Sequence, residues 1–400
     1  MVDSRSMFPL VGILCPIRRV RPGIDTTRIG AVRLDDAVRI LMASRRFPPD
    51  AFSGTDTVFQ ALYEQARTKH EVRLVAGWQG GRDRIPTEAI GVKLSGLGVG
   101  KQWVAMAKAI RSEVKRWRPD VVLSNNIEVP PTGTPTVCVV HDLDFGEPGG
   151  RPVGRRFEGW MSRARRTAYG VRSRGLARVV AVSETARMAL IDAGVRQDRI
   201  TVVRNGVDTT RFAPRQGERT DEIIRFVHPA RILPGKGQHL AIDAVARLPR
   251  LHKRRAELLI VGSVADRVYL DQVRVQAYNQ NVRFHLDVPD MVPHVQDADV
   301  ILCPSVMAEG FGLTAVEAMA CGVPVIWADQ PGIREATGGI GVPVPVGDVE
   351  ALRGAMKSLM DSPDERRRLG EAGREWVERR YSWEGVWVQY EQVLANAKVG

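Results

Sequence analysis

The sequence is short of long apolar runs, of cysteine and of lysine. No stretch of about 18 apolar residues occurs, which argues against a membrane-crossing helix. The N-terminus has no basic segment leading into a long apolar core, so a secretory signal is not expected. The four cysteines, Cys15, Cys138, Cys303 and Cys321, are isolated and show no C-x-x-C spacing. Three of them lie in apolar runs, where a free thiol packs as a small hydrophobe, so neither a disulfide framework nor a zinc site is expected. These features together predict a cytoplasmic protein, at most peripheral to a membrane. Only nine of the 58 basic residues are lysine, so the formal net charge of +12 is carried almost entirely by arginine. Guanidinium forks suit phosphate, whether of a nucleotide, a lipid head group or a nucleic acid backbone, although a solvated basic surface explains the same charge.

What is present is length and alternation. Four hundred residues, 44% of them apolar, suit two domains of roughly 150 to 200 residues each. Residues 1–36 hold one short strand-like run, Val11 to Cys15, then Pro, Gly and Arg without periodicity, and read as an extension. From Val38 the pattern becomes strand, helix, strand: "VRILMASRRF", "VFQALYEQARTKH", "EVRLVAGW". It continues with a helix from about Lys101 to Trp117, "PDVVLSNN", "TPTVCVVHD", an Arg-rich helix from about Val153 to Arg174, "ARVVAVSE" and a helix from Thr185 to Ala193. After the Pro- and Gly-containing connection "RFAPRQGERTDE" a second series begins with "IIRFVHPARI", a helix from about His239 to Leu248 and "AELLIVGS". A helix near Asp266 to Asn279, "VRFHLDV", "DVILCPS", "VPVIWAD" and "GVPVPV" complete it, and a last helix covers about Trp383 to Asn396. Apolar strands alternating with helices predict parallel sheets covered on both faces. The expected fold is therefore α/β, with two Rossmann-like doubly wound domains facing a cleft. Residues 37–215 form the first, 216–382 the second, and 383–400 a helix returning to the first.

Open parallel sheets bind ligands beyond the carboxyl ends of their strands. In "DVILCPSVMAEGFGLTAVEAMA" a strand, a loop and a helix start meet in that arrangement. A helix beginning near Gly312 would direct free N–H groups at an anion, and Gly310 and Gly312 would let backbone approach it closely. Glu309 and Glu317 stand eight residues apart, spaced to accept hydrogen bonds from two diols along one ligand. A nucleotide sugar carries two such diols with phosphates between them. Acids beside a diphosphate need compensating cations, and "ARILPGKGQ" supplies Arg231 and Lys236 on the loop after the first strand of the same domain. Taken singly, Glu317 could be a solvated helix residue and Arg231 a surface ion-pair partner; the four occurring on two strand ends favours a site.

These residues carry a resemblance. The chain is similar, over residues 37–397, to retaining glycosyltransferases of the two-domain GT-B fold, the large family four that includes bacterial mannosyl- and glucosyltransferases. Glu309 and Glu317 match its E-x7-E element and Arg231 and Lys236 its R-x4-K element. "VVAVSETARMALIDAGVRQDRITVVRNGVDTTRFAP" and "VVHDLDF" resemble its acceptor-domain segments. The resemblance implies that Glu309 touches the donor sugar, Glu317 the ribose, and Arg231 and Lys236 the diphosphate. It implies that backbone of Phe311, Gly312 and Leu313 meets phosphate and sugar, and that His141, followed by Asp142, faces the sugar across the cleft. Groups around Leu286 to Val288 are expected to read the base of a UDP- or GDP-hexose. The implied reaction retains configuration and uses no bound cofactor and no metal, no D-x-D acid pair standing out as a chelate.

Departures from the family pattern are Gly54, following Ser53, where a glycine pair is usual, Ala230 where glycine is usual, a variant "ATGGIGVPV", and the unmatched extension. The acceptor is left open. The Arg-rich 151–178 segment could lie on an anionic membrane, pointing to a lipid-linked or envelope glycan, or could, with the basic extension, bind nucleic acid and glycosylate a modified base. A sugar-nucleotide epimerase and an inactive basic binding module are the remaining alternatives.

Overall fold

A computed structural model describes residues 37–48, 54–126, 131–141, 167, 169–217 and 222–399. The first sheet has seven strands: β1 (Arg39–Ser44), β2 (Glu71–Trp78), β3 (Ile90–Lys93), β4 (Val121–Asn125), β5 (Thr136–Val140), β6 (Arg178–Ala181) and β7 (Ile200–Val202). Their order is β3-β2-β1-β4-β5-β6-β7. The second sheet has six: β8 (Ile224–Pro229), β9 (Ala256–Gly262), β10 (Val282–Leu286), β11 (Val300–Cys303), β12 (Val325–Ala328) and β13 (Val342–Val344), in the order β10-β9-β8-β11-β12-β13. Every pairing is parallel. Both sheets are Rossmann-like and doubly wound, as the alternation in the sequence predicts.

The central strands show why. Leu41, Met42 and Ala43 of β1, and Val300, Ile301 and Leu302 of β11, are buried on both faces, so consecutive residues rather than alternate ones are apolar. Helices cover those faces through single stripes: Val99–Trp117 buries Met106, Ile110, Val114 and Trp117 at spacings of three and four. Strand order reverses between β1 and β4 in one sheet and between β8 and β11 in the other, and ligand crevices open at such points. One apolar cluster joins the sheets, taking Val139 and Val182 from the first and Val227, Phe311 and Val316 from the second.

The last helix, Trp383–Val399, lies against the first sheet's layer. Trp387 and Tyr390 are buried, Glu391 meets His70 Nε2 at 3.2 Å, and Lys398 lies 3.8 Å from Asp120. Helices Pro331–Thr337, Val349–Asp361 and Pro363–Arg380, and strands β3 and β7, are further elements beyond those expected above. The Arg-rich 151–178 segment falls mostly outside the described residues, and residues 169–173 are helical. No helix among the described residues is long and apolar enough to cross a membrane.

Candidate functional site

Two loops of the second sheet meet at its reversal point. The loop after β8 folds through a 3-10 turn, Pro234–Lys236, and the loop after β11 runs from Pro304 to Gly312. Glycines let them touch. Gly235 O accepts from Val306 N at 2.9 Å and Met307 N at 3.1 Å. Gly237 has φ +78°, and a Cβ there would lie 2.3 Å from Pro304 O, so only glycine serves both conformation and contact.

This contact brings Lys236 of the R-x4-K element and Glu309 of the E-x7-E element together. Lys236 Nζ donates to Glu309 Oε1 at 2.6 Å, and Ser305 Oγ donates to the same oxygen at 2.6 Å. Arg231 is exposed, and its guanidinium makes no ion pair or hydrogen bond among the described residues. Lys236 and Glu309 line a pocket with Cys303, Ser305, Gly312 and Thr314, and Arg231 lies on the same loop as Lys236 but outside that lining. Gly312, at φ +92°, caps the helix Leu313–Ala320, whose first N–H groups open on the same pocket. Phe311 turns its ring away, edge-on to Tyr381 at 5.5 Å, so only its backbone is offered to the site.

Glu317 sits one turn into that helix. It keeps part of its surface, and desolvation pushes its carboxyl up from 4.5 to about 7, against the charge of Arg211. Leu286 and Val288 flank the end of β10 and are half-buried, with Asp287 between them accepting from Val264 N at 3.2 Å.

The first sheet supplies the opposing edge. His141 follows β5 directly and is buried, with neither ring nitrogen hydrogen-bonded among the described residues. Burial holds its imidazole down to about 4, so the ring is neutral near pH 7. Asp142 lies outside the described residues. Gly54 begins the helix Gly54–Arg67, and a Cβ there would stand 3.2 Å from Leu313 Cδ2 in the second domain. Ser183, after β6, caps its own helix by accepting from Ala186 N at 2.9 Å and donates to Gly310 O at 2.5 Å.

Four residues of the site carry no motif signal. Ser183, Ser305 and Gln330 act through hydrogen bonds that only the folded chain creates. His228, on β8, is buried beside Lys236 and held down to about 3 by desolvation and that charge; a histidine inside an apolar strand gave the only hint. Two D-x-D triplets qualify the expected lack of a chelating pair. Asp142-Leu143-Asp144 lies outside the described residues. In Asp297-Ala298-Asp299, Asp297 accepts from Arg215 and Arg225 side chains at 2.6 Å each and Asp299 from Arg225 N at 2.7 Å, so both acids are engaged structurally.

Residues 52–211 match the model of Glycosyltransferase Family 4 and residues 209–376 that of Glycosyl transferases group 1. A glycogen synthase of Mycobacterium tuberculosis is 31% identical over 306 residues, 72% of this chain and 71% of that protein. The chain belongs to glycosyltransferase family 4. A relative of this transferase in Mycolicibacterium hassiacum, an MMP alpha-(1->4)-mannosyltransferase, is 30% identical over 68% of each chain. Among solved structures, Anabaena Alr3699/HepE in complex with UDP and glucose superposes with a TM-score of 0.71 at 19% identity, covering 88% of this chain and 98% of that one. WaaG, a glycosyltransferase involved in lipopolysaccharide biosynthesis, gives 0.72 at 16% identity over 89% and 99%. The transferase therefore has the GT-B fold, two Rossmann-like domains about a cleft.

Proposed function

We propose that the transferase moves a hexose from a nucleoside-diphosphate sugar, UDP- or GDP-linked, to an acceptor hydroxyl with retention of configuration and without a metal ion. The pairing of Lys236 with Glu309 in the pocket that includes Gly312, at the start of the Leu313–Ala320 helix, carries this reading. As the bond from sugar carbon to diphosphate oxygen breaks, negative charge grows on the leaving phosphate. Arg231, Lys236 and the backbone N–H groups after Gly312 are the donors that stabilise it. Lys236 shifts from Glu309 to phosphate on donor binding, which frees the Glu309 carboxylate to accept hydrogen bonds from sugar hydroxyls. Glu317 holds the ribose, backbone near Leu286 and Val288 the base, and neutral His141 a sugar hydroxyl.

For the acceptor, a lipid-linked or envelope glycan at the cytoplasmic membrane face is the preferred reading. The outer face of the helix Val99–Trp117 presents Lys101, Lys108, Arg111 and Lys115, none in an ion pair among the described residues, with Val104 70% exposed between them. Such a face complements anionic lipid. One relative supports this reading: a Corynebacterium glutamicum protein, 34% identical over 201 residues and 52% of its length, is named a GDP-mannose-dependent monoacylated alpha-(1-6)-phosphatidylinositol monomannoside mannosyltransferase. The same cations would also serve nucleic acid as acceptor.

The test is thermal shift and slow donor hydrolysis against UDP-, GDP-, ADP- and dTDP-sugars, followed by acceptor screening and assignment of the product anomer by NMR. One donor is expected to raise the melting temperature and be hydrolysed, with activity kept in EDTA. Loss of activity in EDTA refutes the metal-free reaction, an inverted product refutes retention, and an interconverted sugar nucleotide indicates the epimerase. Absence of any donor response returns the protein to the binding-module reading.

A further inference from the structure

Glu309 must present its carboxylate at a fixed position, yet it lies in a loop with no regular secondary structure. One side chain closes that loop. Gln330, at the end of β12 and only 8% exposed, uses both ends of its amide: Oε1 accepts from Glu309 N at 3.1 Å and Nε2 donates to Ser305 O at 2.6 Å. The two backbone groups it joins belong to the residues at either end of the segment 305–309, so the amide turns that segment into a ring. Inside the ring the Ser305 hydroxyl donates to Glu309 Oε1. Gly332, two residues beyond Gln330, packs so closely that a Cβ would lie 2.1 Å from Glu309 O, which leaves the loop no room to move toward the helix Pro331–Thr337.

We propose that Gln330, with Ser305, is a positioning residue that locks the 305–309 loop and thereby aims the Glu309 carboxylate at the donor sugar. This rests on the reading above that Glu309 meets the sugar. Glutamine suits the task because its amide alone offers one acceptor and one donor side by side, matching one N–H and one C=O. Glutamate would set a carboxylate oxygen against Ser305 O, and methionine would fill the space but leave both backbone groups unpaired. When Lys236 moves to the diphosphate, the Ser305 hydroxyl remains on Glu309 and the ring keeps its orientation. The clamp thus acts on the chemical step and on the sugar contact, while Glu317 and Arg231, which lie outside the ring, hold the nucleotide.

The experiment compares wild type, Gln330→Met and Ser305→Ala in three measurements: turnover of UDP-glucose and GDP-mannose with water as acceptor, affinity for UDP and GDP, and hydrogen exchange of the 305–312 amides. Gln330→Met is expected to lose protection at Glu309, to lower turnover about 10- to 100-fold through misplacement of the carboxylate, and to leave affinity for the sugar-free nucleotide little changed. Unchanged turnover, or nucleotide affinity falling as steeply as turnover, overturns the proposal. Should Gln330→Met not fold, Ser305→Ala decides it: lowered turnover with nucleotide affinity kept upholds the clamp, and wild-type turnover overturns it. If wild type processes neither donor, the sugar-transfer reading falls separately. The exchange data then decide the clamp alone, lost protection upholding it and unchanged protection overturning it.

Discussion

Replacing Glu317 by glutamine tests the desolvated carboxyl in two independent ways. Desolvation raises this carboxyl from 4.5 to about 7 in the folded protein. A folded value above the unfolded one means that the contribution to stability is complete below pH 4.5 and is lost as pH rises through about 7. At about 1.4 kcal/mol per pH unit the interval corresponds to about 3 kcal/mol, a ceiling because water in the cleft screens the charge. Glutamine keeps the shape and removes the charge. The free Glu317→Gln protein should therefore be more stable than wild type at pH 8, by up to about 3 kcal/mol, and no more stable at pH 4. Urea denaturation of both proteins from pH 4 to pH 8 measures this, and the burial of His141 and His228 cancels in the difference. Nucleotide binding should respond oppositely. A ribose diol donates its hydrogen bonds to the ionised carboxylate, so wild-type affinity should increase as pH rises through about 7, and the variant should bind weakly at every pH. A stability difference that is independent of pH, or a glutamine variant less stable at pH 8, refutes the assignment of Glu317 as a desolvated acid in the cleft.

Lys236→Ala should lower turnover by about 100-fold or more if the ammonium stabilises the leaving phosphate; unchanged turnover in a kinetic assay removes it from that role. The same change leaves Glu309 with Ser305 alone, so donor KM should move less than kcat. Gly332→Ala should lower both the melting temperature and activity, because its Cβ would stand 2.1 Å from Glu309 O and force the donor loop outward. Wild-type activity from that variant would show that the loop position is not critical.

Much of the fold is legible in the sequence because parallel strands buried on both faces write themselves as unbroken apolar runs. "ILMAS", "VVLSN" and "VILC" become β1, β4 and β11 within a residue or two. The helix Pro363–Arg380 is harder to see. It is strongly polar, and its Gly370 and Gly373 read locally as breakers. In the folded chain they are contacts: a Cβ on Gly370 would lie 2.1 Å from Gly322 O, and one on Gly373 3.1 Å from Met319 Cγ. Close approach to the helix Leu313–Ala320 decides those positions, and close approach leaves no periodic trace. The helix Val349–Asp361 does carry a signal, an Asp348 cap accepting from Ala351 N and apolar Leu352, Met356 and Leu359 beyond it.

The candidate site divides along the same line. Its charged members can be read because they stand at the spacings of the R-x4-K and E-x7-E elements, and the structure puts Lys236 and Glu309 within 2.6 Å of each other across 73 residues of chain. The residues that hold them cannot, because a neutral hydrogen-bonding side chain has no required spacing. Gln330 follows an apolar strand and precedes a proline, where the sequence suggests a turn, and Ser183 looks like an ordinary helix cap until Gly310 arrives from the other domain. Position in both cases comes from tertiary contact, and Gly54 adds a third such link through Leu313. Ser183, Gly310 and Leu313 form a contact line across the cleft, so the loop that carries Glu309 is braced from the first sheet as well as from β12. On the proposed reading a donor meets a loop already fixed on two sides, and the Lys236 ammonium is the part that moves.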